Sequence, residues 1–210
     1  DRLCRSRQRA PVALVNLQQA REVQPFVFDV WTRVLNISGA KMKLMWESQG
    51  ELAALKKAAK RNGVYAAVDP VEFTHVDGHL PRLTQSELAL DGFVKNMGVN
   101  ALDAVFSAIP IVSSPGQNLM QRVAASILTA VGMPTTIARN MQDYETLAKR
   151  LATHGDILQR LRCQMARDEP TAHLYDGDAW AGLMVRGVTT ALDLVWNGEP
   201  ANRLHVAISG

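Results

Sequence analysis

The chain has 210 residues, 47% of them hydrophobic, and a formal net charge of +3. That length carries one large α/β core. The mild basic excess, clustered only in the opening DRLCRSRQR, does not argue for nucleic acid. Residues 1–10 read as a frayed segment or a link to a preceding domain, and 11–210 as a single lobe. The chain does not begin with methionine, so it reads as a piece of a longer protein. Two cysteines, Cys4 and Cys163, lack metal-ligand spacing and suggest no disulfide framework, so an intracellular, reducing setting (cytoplasm or nucleus) is expected. No apolar run approaches a membrane span, and no signal-peptide pattern is present.

In chain order, the apolar run VALVNL at 12–17 predicts a first buried strand. Residues 25–35 predict a helix with Val27, Val30, Trp31 and Val34 on one stripe. A second strand is expected at 41–46, an amphipathic helix at 51–62 closed by Gly63, and a third strand at 64–68. The loop 69–77 looks the least ordered. A helical turn is expected at 79–83, a fourth strand at 88–90, a helix from about Asn100, and a fifth strand at 109–112. A helix at 118–131, a sixth strand at 135–138, and helices at 143–154, 156–167 and 178–196 complete the pattern. The last helix is ended by Gly198 and Pro200.

Strands alternating with helices predict an α/β fold: a Rossmann-like, doubly wound, mainly parallel sheet of about six strands with closing C-terminal helices. The unit at 88–113 is a strand, a loop, a helix and a strand. The N–H groups and dipole at such a helix start suit a phosphate. No GxSxG, GxxxxGK[ST], HExxH or CxxC motif is present. The first turn, QQAREVQP, lacks the glycine fingerprint of dinucleotide enzymes.

The stretch LDGFVKNMGVNALDAVFSAIPIVSSPGQNLMQRVAASILTAVGM, residues 90–133, resembles the C-terminal catalytic lobe of O-linked N-acetylglucosamine (O-GlcNAc) transferases. That family reads LDT-P-x-x-G-H-T-T-x-x-D-x-L-W-x-G-x-P-x-V-T-x-x-G and then RVAAS-x-L. Leu90, Asp91, Asn96, Asp103, Pro110, Val112, Gly116 and the string RVAAS at 122–126 fall in register. NLQQAREVQP at 16–25 resembles the family's N-F-N-Q-x-x-K-x-x-P. QDYETLAKRLA, Tyr175-Asp176, and Trp196 with Gly198 and Pro200 extend the likeness. The resemblance implies the C-terminal half of a GT-B glycosyltransferase, with an N-terminal lobe outside this chain. It also implies UDP or UDP-N-acetylglucosamine (UDP-GlcNAc) as ligand, no metal, and a protein substrate or partner.

By the same resemblance, Gln19, His79, Arg82, Asn100 and Asp103 are the nucleotide-site candidates, with Asp103 on the ribose. Four positions depart from the family, Glu22, Gly98 and Val99 without a substitute donor. Its lysine after the first strand falls on Glu22, whose carboxylate would repel a diphosphate. Its His-Thr-Thr falls on Gly98, Val99 and Asn100, leaving Asn100 to donate one hydrogen bond or cap the helix. No residue here is assigned a catalytic role.

Each candidate also has an ordinary structural reading. Asp103 sits in a first helical turn, where the dipole alone favours an acid. His79 and Arg82 share a helical face and suit solvent. Gln19 suits a strand end, Glu22 a solvent-facing loop, and Gly98 a left-handed backbone. Trp31, Trp46 and Trp196 read as packing, and Cys163 as an inert packed thiol. Two functions therefore stay open. One is the donor-nucleotide lobe of a protein Ser/Thr glycosyltransferase, inactive in isolation. The other is a catalytically degenerate pseudo-glycosyltransferase domain acting as a scaffold or interaction module.

Overall fold

The computed structural model describes residues 11–72, 83, 85–168 and 173–199. Most of the expected turn at 79–83 lies outside these, including His79 and Arg82. The chain divides into two compact units, Asp1–Pro170 and Thr171–Gly210.

The first unit holds a five-stranded, wholly parallel sheet. Its strands are β1 (Ala13–Gln19), β2 (Lys41–Trp46), β3 (Val68–Glu72), β4 (Leu88–Leu90) and β5 (Ile111–Val112), in the order β3-β2-β1-β4-β5. The helices are α1 (Pro25–Ser38), α2 (Gln49–Arg61), α3 (Asn100–Phe106), α4 (Val123–Ala130), α5 (Met141–Thr153) and α6 (Gly155–Asp168). Strand order reverses between β1 and β4. Right-handed crossovers therefore set α1 and α2 on one face and α3 on the other. A doubly wound sheet receives ligands at the carboxyl ends of the strands flanking that reversal.

Local chemistry sets the helix ends. Pro25 occupies the first turn of α1, and Gly39 closes it in the left-handed region at φ 64°. Ser48 caps α2 by accepting the Glu51 N–H at 3.2 Å, and Asn140 caps α5 through the Asp143 N–H at 2.9 Å. The inner stripe of α1, from Val27 to Leu35, packs on the sheet and on α5. In the second unit α7 (Gly177–Trp196) is capped by Asp176, and none of its twenty residues is buried.

Three expected elements differ. The third strand runs 68–72, not 64–68, because Val64–Val68 is a turn in which the Ala67 and Val68 N–H groups both return to the Val64 carbonyl. Pro70 is tolerated because β3 is an edge strand, and the start of the loop expected at 69–77 is thus strand. The helix expected at 118–131 begins as a 3-10 turn, Leu119–Gln121, with a reciprocal Asn118–Gln121 capping box; Arg122 (φ −121°) then breaks the path before α4. The sixth strand is reduced to a single parallel bridge, Ser113 to Ile137, after a 3-10 turn at Pro134–Thr136.

A buried polar relay ties the sheet to α1 and α5. Trp31 Nε1 donates to Tyr144 Oη at 3.0 Å, and Tyr144 Oη donates to the Asp91 carbonyl at 2.8 Å. Asp91 directly follows β4 and is itself fully enclosed. Its Oδ1 accepts the Gly92 N–H at 2.9 Å and the Met97 N–H at 2.7 Å, and its Oδ2 accepts from Ser113 Oγ at 2.7 Å. Burial raises the Asp91 carboxyl to about 7, although these three donors pull it down.

Two outcomes follow. Tyr144→Phe leaves the Trp31 N–H and the Asp91 carbonyl unpartnered, at about 1–3 kcal/mol for each group. Urea denaturation should show a loss well beyond that of Thr146→Ala on the exposed side of α5, and equal losses would refute the relay. The second concerns pH. The folded protein holds the Asp91 proton up to about 7, whereas an unfolded aspartate releases it near 3.8. The stabilisation from this group is thus complete at low pH and lost as pH rises through about 7. Asp91→Asn keeps both N–H contacts on Oδ1 and reverses the Ser113 bond, its amide donating to Ser113 Oγ. The variant should lack a slope of at most about 1.4 kcal/mol per pH unit in that window; parallel stability–pH curves would remove the assignment.

Candidate functional site

The crevice lies at the carboxyl ends of β1 and β4. Pairing of β1 with β2 slips between Asn16 and Gln19, so the end of β1 is bulged. The bulge turns Gln18 inward, where it is buried. Asn16 orients it: Asn16 Nδ2 donates to the Leu90 carbonyl at 2.7 Å and to Gln18 Oε1 at 3.1 Å, and Asn16 Oδ1 accepts the Gln18 N–H. Gln18 Nε2 then donates to the Lys95 carbonyl at 2.6 Å. This is why position 92 is glycine. A Cβ there would stand 2.3 Å from Gln18 Oε1 and 2.8 Å from the Lys95 carbonyl oxygen.

The loop 92–98 is clamped along its length. Besides the Asp91 and Gln18 contacts, Gln121 Nε2 donates to the Phe93 carbonyl at 3.0 Å, and the Asn96 N–H to the Met120 carbonyl at 3.0 Å. The Phe93 ring leans on Tyr144 with centroids 4.8 Å apart. Asn96 Oδ1 accepts the Gly98 N–H, while the buried Asn96 Nδ2 has no partner among the described residues.

Of the candidate positions, Glu22, Gly98, Val99 and Asn100 lie at this loop or directly after it. Gln19 ends β1 and donates through Nε2 to Glu47 Oε1. Glu22 lies in the 3-10 turn Ala20–Glu22, where its carboxylate pairs with the half-exposed ammonium of Lys95. Gly98 has φ 56°, and no atom lies within 4 Å of where its Cβ would be; the backbone, not crowding, calls for glycine. Val99 is exposed and offers no cap. Asn100 begins α3 and donates Nδ2 to the Leu17 carbonyl at 2.9 Å, tying the helix to β1. Asp103 is half-buried in the first turn of α3. His79 and Arg82 lie outside the described residues.

Two features depart from the reading of the sequence. The N–H groups at the start of α3 are not open to a phosphate. Those of Asn100, Ala101 and Leu102 donate to the carbonyls of Met97, Gly98 and Val99 at 2.9–3.1 Å. Glu22 is also no lone solvent-facing acid, since Lys95 neutralises it. Sequence reasoning missed Lys95, Gln18 and the anchoring role of Asp91. The one signal available was a lysine in an otherwise uncharged loop directly after the fourth strand. Beside the crevice, Arg21 pairs with Glu47 at 2.6 Å and Glu51 at 3.1 Å. Among the described residues no cluster of His, Cys, Asp and Glu could hold a metal, and no helix is long and apolar enough to cross a membrane.

Comparison with known proteins agrees with this architecture. Relatives include a UDP-N-acetylglucosamine–peptide N-acetylglucosaminyltransferase of Caenorhabditis elegans, 27% identical over 79% of this chain and 14% of that protein. A probable enzyme of the same name, SEC, from Arabidopsis thaliana is 25% identical over 90% of this chain and 20% of its own length. The chain thus spans about a fifth or less of these relatives. Among solved structures, a mutant O-GlcNAc transferase of Thermobaculum terrenum superposes with a TM-score of 0.74 at 19% identity, over 81% of this chain and 34% of that one. The glycosyltransferase WaaG, involved in lipopolysaccharide biosynthesis, gives 0.55 at 10% identity over 80% and 48%. The fold is thereby that of a GT-B glycosyltransferase half. The profile of glycosyl transferase family 41 matches residues 7–184, and the chain belongs to that family.

Proposed function

We propose that residues 11–210 form the donor-nucleotide lobe of a family 41 protein glycosyltransferase, holding UDP-N-acetylglucosamine at the carboxyl edge of β1 and β4. The observation that supports the reading is the clamped loop 92–98, which holds Lys95 against Glu22 in the turn after β1, beside the end of β1 to which Asn100 is tied. In the proposed reaction a protein Ser or Thr hydroxyl attacks the sugar's anomeric carbon. The bond to the diphosphate oxygen breaks, and UDP departs with the negative charge. That charge needs a preorganised cation. Among the described residues, Lys95 is a cation that can meet that charge, and Glu22 competes with the diphosphate for it. The base and the acceptor site would come from the other lobe, so this lobe alone is inactive.

A second reading is favoured by specific features. Glu22 already occupies Lys95, Gly98 carries no side chain, and the first N–H groups of α3 are bonded internally. A lobe so altered would serve as a scaffold or interaction module.

Calorimetry of the chain with UDP, UDP-N-acetylglucosamine and uridine separates the two. The donor-lobe reading expects saturable binding at micromolar to low-millimolar UDP. Glu22→Gln should tighten UDP about tenfold, near 1.4 kcal/mol, with little effect on uridine, because only the diphosphate meets the carboxylate. No heat with UDP at several millimolar, in wild type and in Glu22→Gln alike, would discard that reading in favour of the scaffold.

A further inference from the structure

A second cavity opens on the other side of the turn after β1. Helices α1 and α2 sit side by side on one face of the sheet but do not close on each other. Along α2 the side turned to the gap carries Gly50, Ala54 and Ala58, four residues apart, where larger side chains would have filled it. Phe28 of α1 and Leu55 of α2 line the slot as nearly buried apolar walls. The 3-10 turn after β1 closes one end. The volume is about 360 Å³. That falls in the range of small-molecule sites.

Three charged side chains line this slot, and two are already committed. Arg21 pairs with Glu51 at 3.1 Å, and Glu51 also accepts the Glu47 N–H at 2.8 Å. Arg61, the last residue of α2, has no hydrogen-bond or ion-pair partner among the described residues. The lining is therefore apolar with one uncommitted guanidinium. A planar fork of N–H donors at the end of an apolar slot is complementary to a carboxylate or sulfonate carried on an aromatic body.

We propose that the groove between α1 and α2 is a small-molecule site for an aromatic monoacid, its ring system against Phe28, Leu55 and Ala54 and its anionic group on Arg61. The groove shares the turn after β1 with the crevice but has its own lining: Ala20, Arg21 and Val23 wall the groove, whereas Gln19 and Glu22 bond to Glu47 and Lys95.

The test is a fluorescence titration of the chain with two probes. One is 1-anilinonaphthalene-8-sulfonate, which is anionic; the other is the neutral N-phenyl-1-naphthylamine. Both should bind saturably at one equivalent. Ala54 is exposed, so Ala54→Trp fills the slot without disturbing the core, and it should abolish both signals while the circular dichroism melt stays unchanged. Arg61→Gln should weaken the sulfonate about tenfold and leave the neutral probe as it was. A linear titration, wild-type binding by Ala54→Trp, or equal loss of both probes in Arg61→Gln would overturn the proposal. So would a dimer in sedimentation that Ala54→Trp dissociates, since that gives the groove to a second copy.

Discussion

A carboxyl group buried without a cation is expensive, and the architecture around the crevice is organised to satisfy one. Asp91 gives up water entirely, and its oxygens take two backbone N–H groups and one hydroxyl in exchange. Those donors are not incidental. The Met97 N–H reaches Asp91 only if the chain between them folds back, so satisfying the carboxyl fixes the loop. Ser113 reaches it only if β5 stands beside β4 in the observed register. The carbonyl of the same residue receives Tyr144, and Tyr144 receives Trp31, so one residue fixes the loop, β5, α5 and α1 together. An apolar residue at this position would avoid the desolvation penalty but would leave the loop without its anchor. The chain thus accepts a penalty in the core to obtain one conformation at the edge.

The second constraint is space. Bulging β1 sends the buried Gln18 amide across to the Lys95 carbonyl, which is possible only because Gly92 leaves room. The loop is then held from below by Asp91, from the β1 side by Gln18, and from the far side by Gln121 and Met120. A segment without regular structure is in this way made as determinate as a strand. The ammonium of Lys95 is the polar group it presents outward, and Glu22 is its partner.

These two constraints explain what was legible in the sequence. Runs with strong local character were placed to the residue, such as the strands at 41–46 and 88–90. Where local character misled, tertiary pairing had decided. Val64–Val68 looks like a strand by composition, but β2 pairs with the residues that follow it, Pro70 included. The 118–131 periodicity is helical, but the reciprocal bonds of Asn118 and Gln121 favour a tighter first turn. At the site, positive φ at Gly98 was readable, because glycine in a loop has a local reason. The Glu22–Lys95 pair was not. Its members are 73 positions apart, and no periodicity links them. The bonding of the first N–H groups of α3 was equally hidden, since whether a helix begins with open or closed donors depends on backbone angles that residue types barely encode.

Burial separates the groups at the crevice into two sets. Leu90, Asp91, Asn96, Pro110 and Val112 are buried and hold the loop and strands in place. Glu22, Gly98 and Val99 are all at least partly open. A glutamate in the turn after β1 would by itself put uncompensated negative charge at the strand ends. Lys95 removes that charge locally, so Glu22 costs the fold little. The pair does decide what the crevice can accept. An anion arriving there must displace Glu22 from Lys95 before it gains a cation. Anion affinity at this edge is therefore set by the difference between two ion pairs and not by the strength of one.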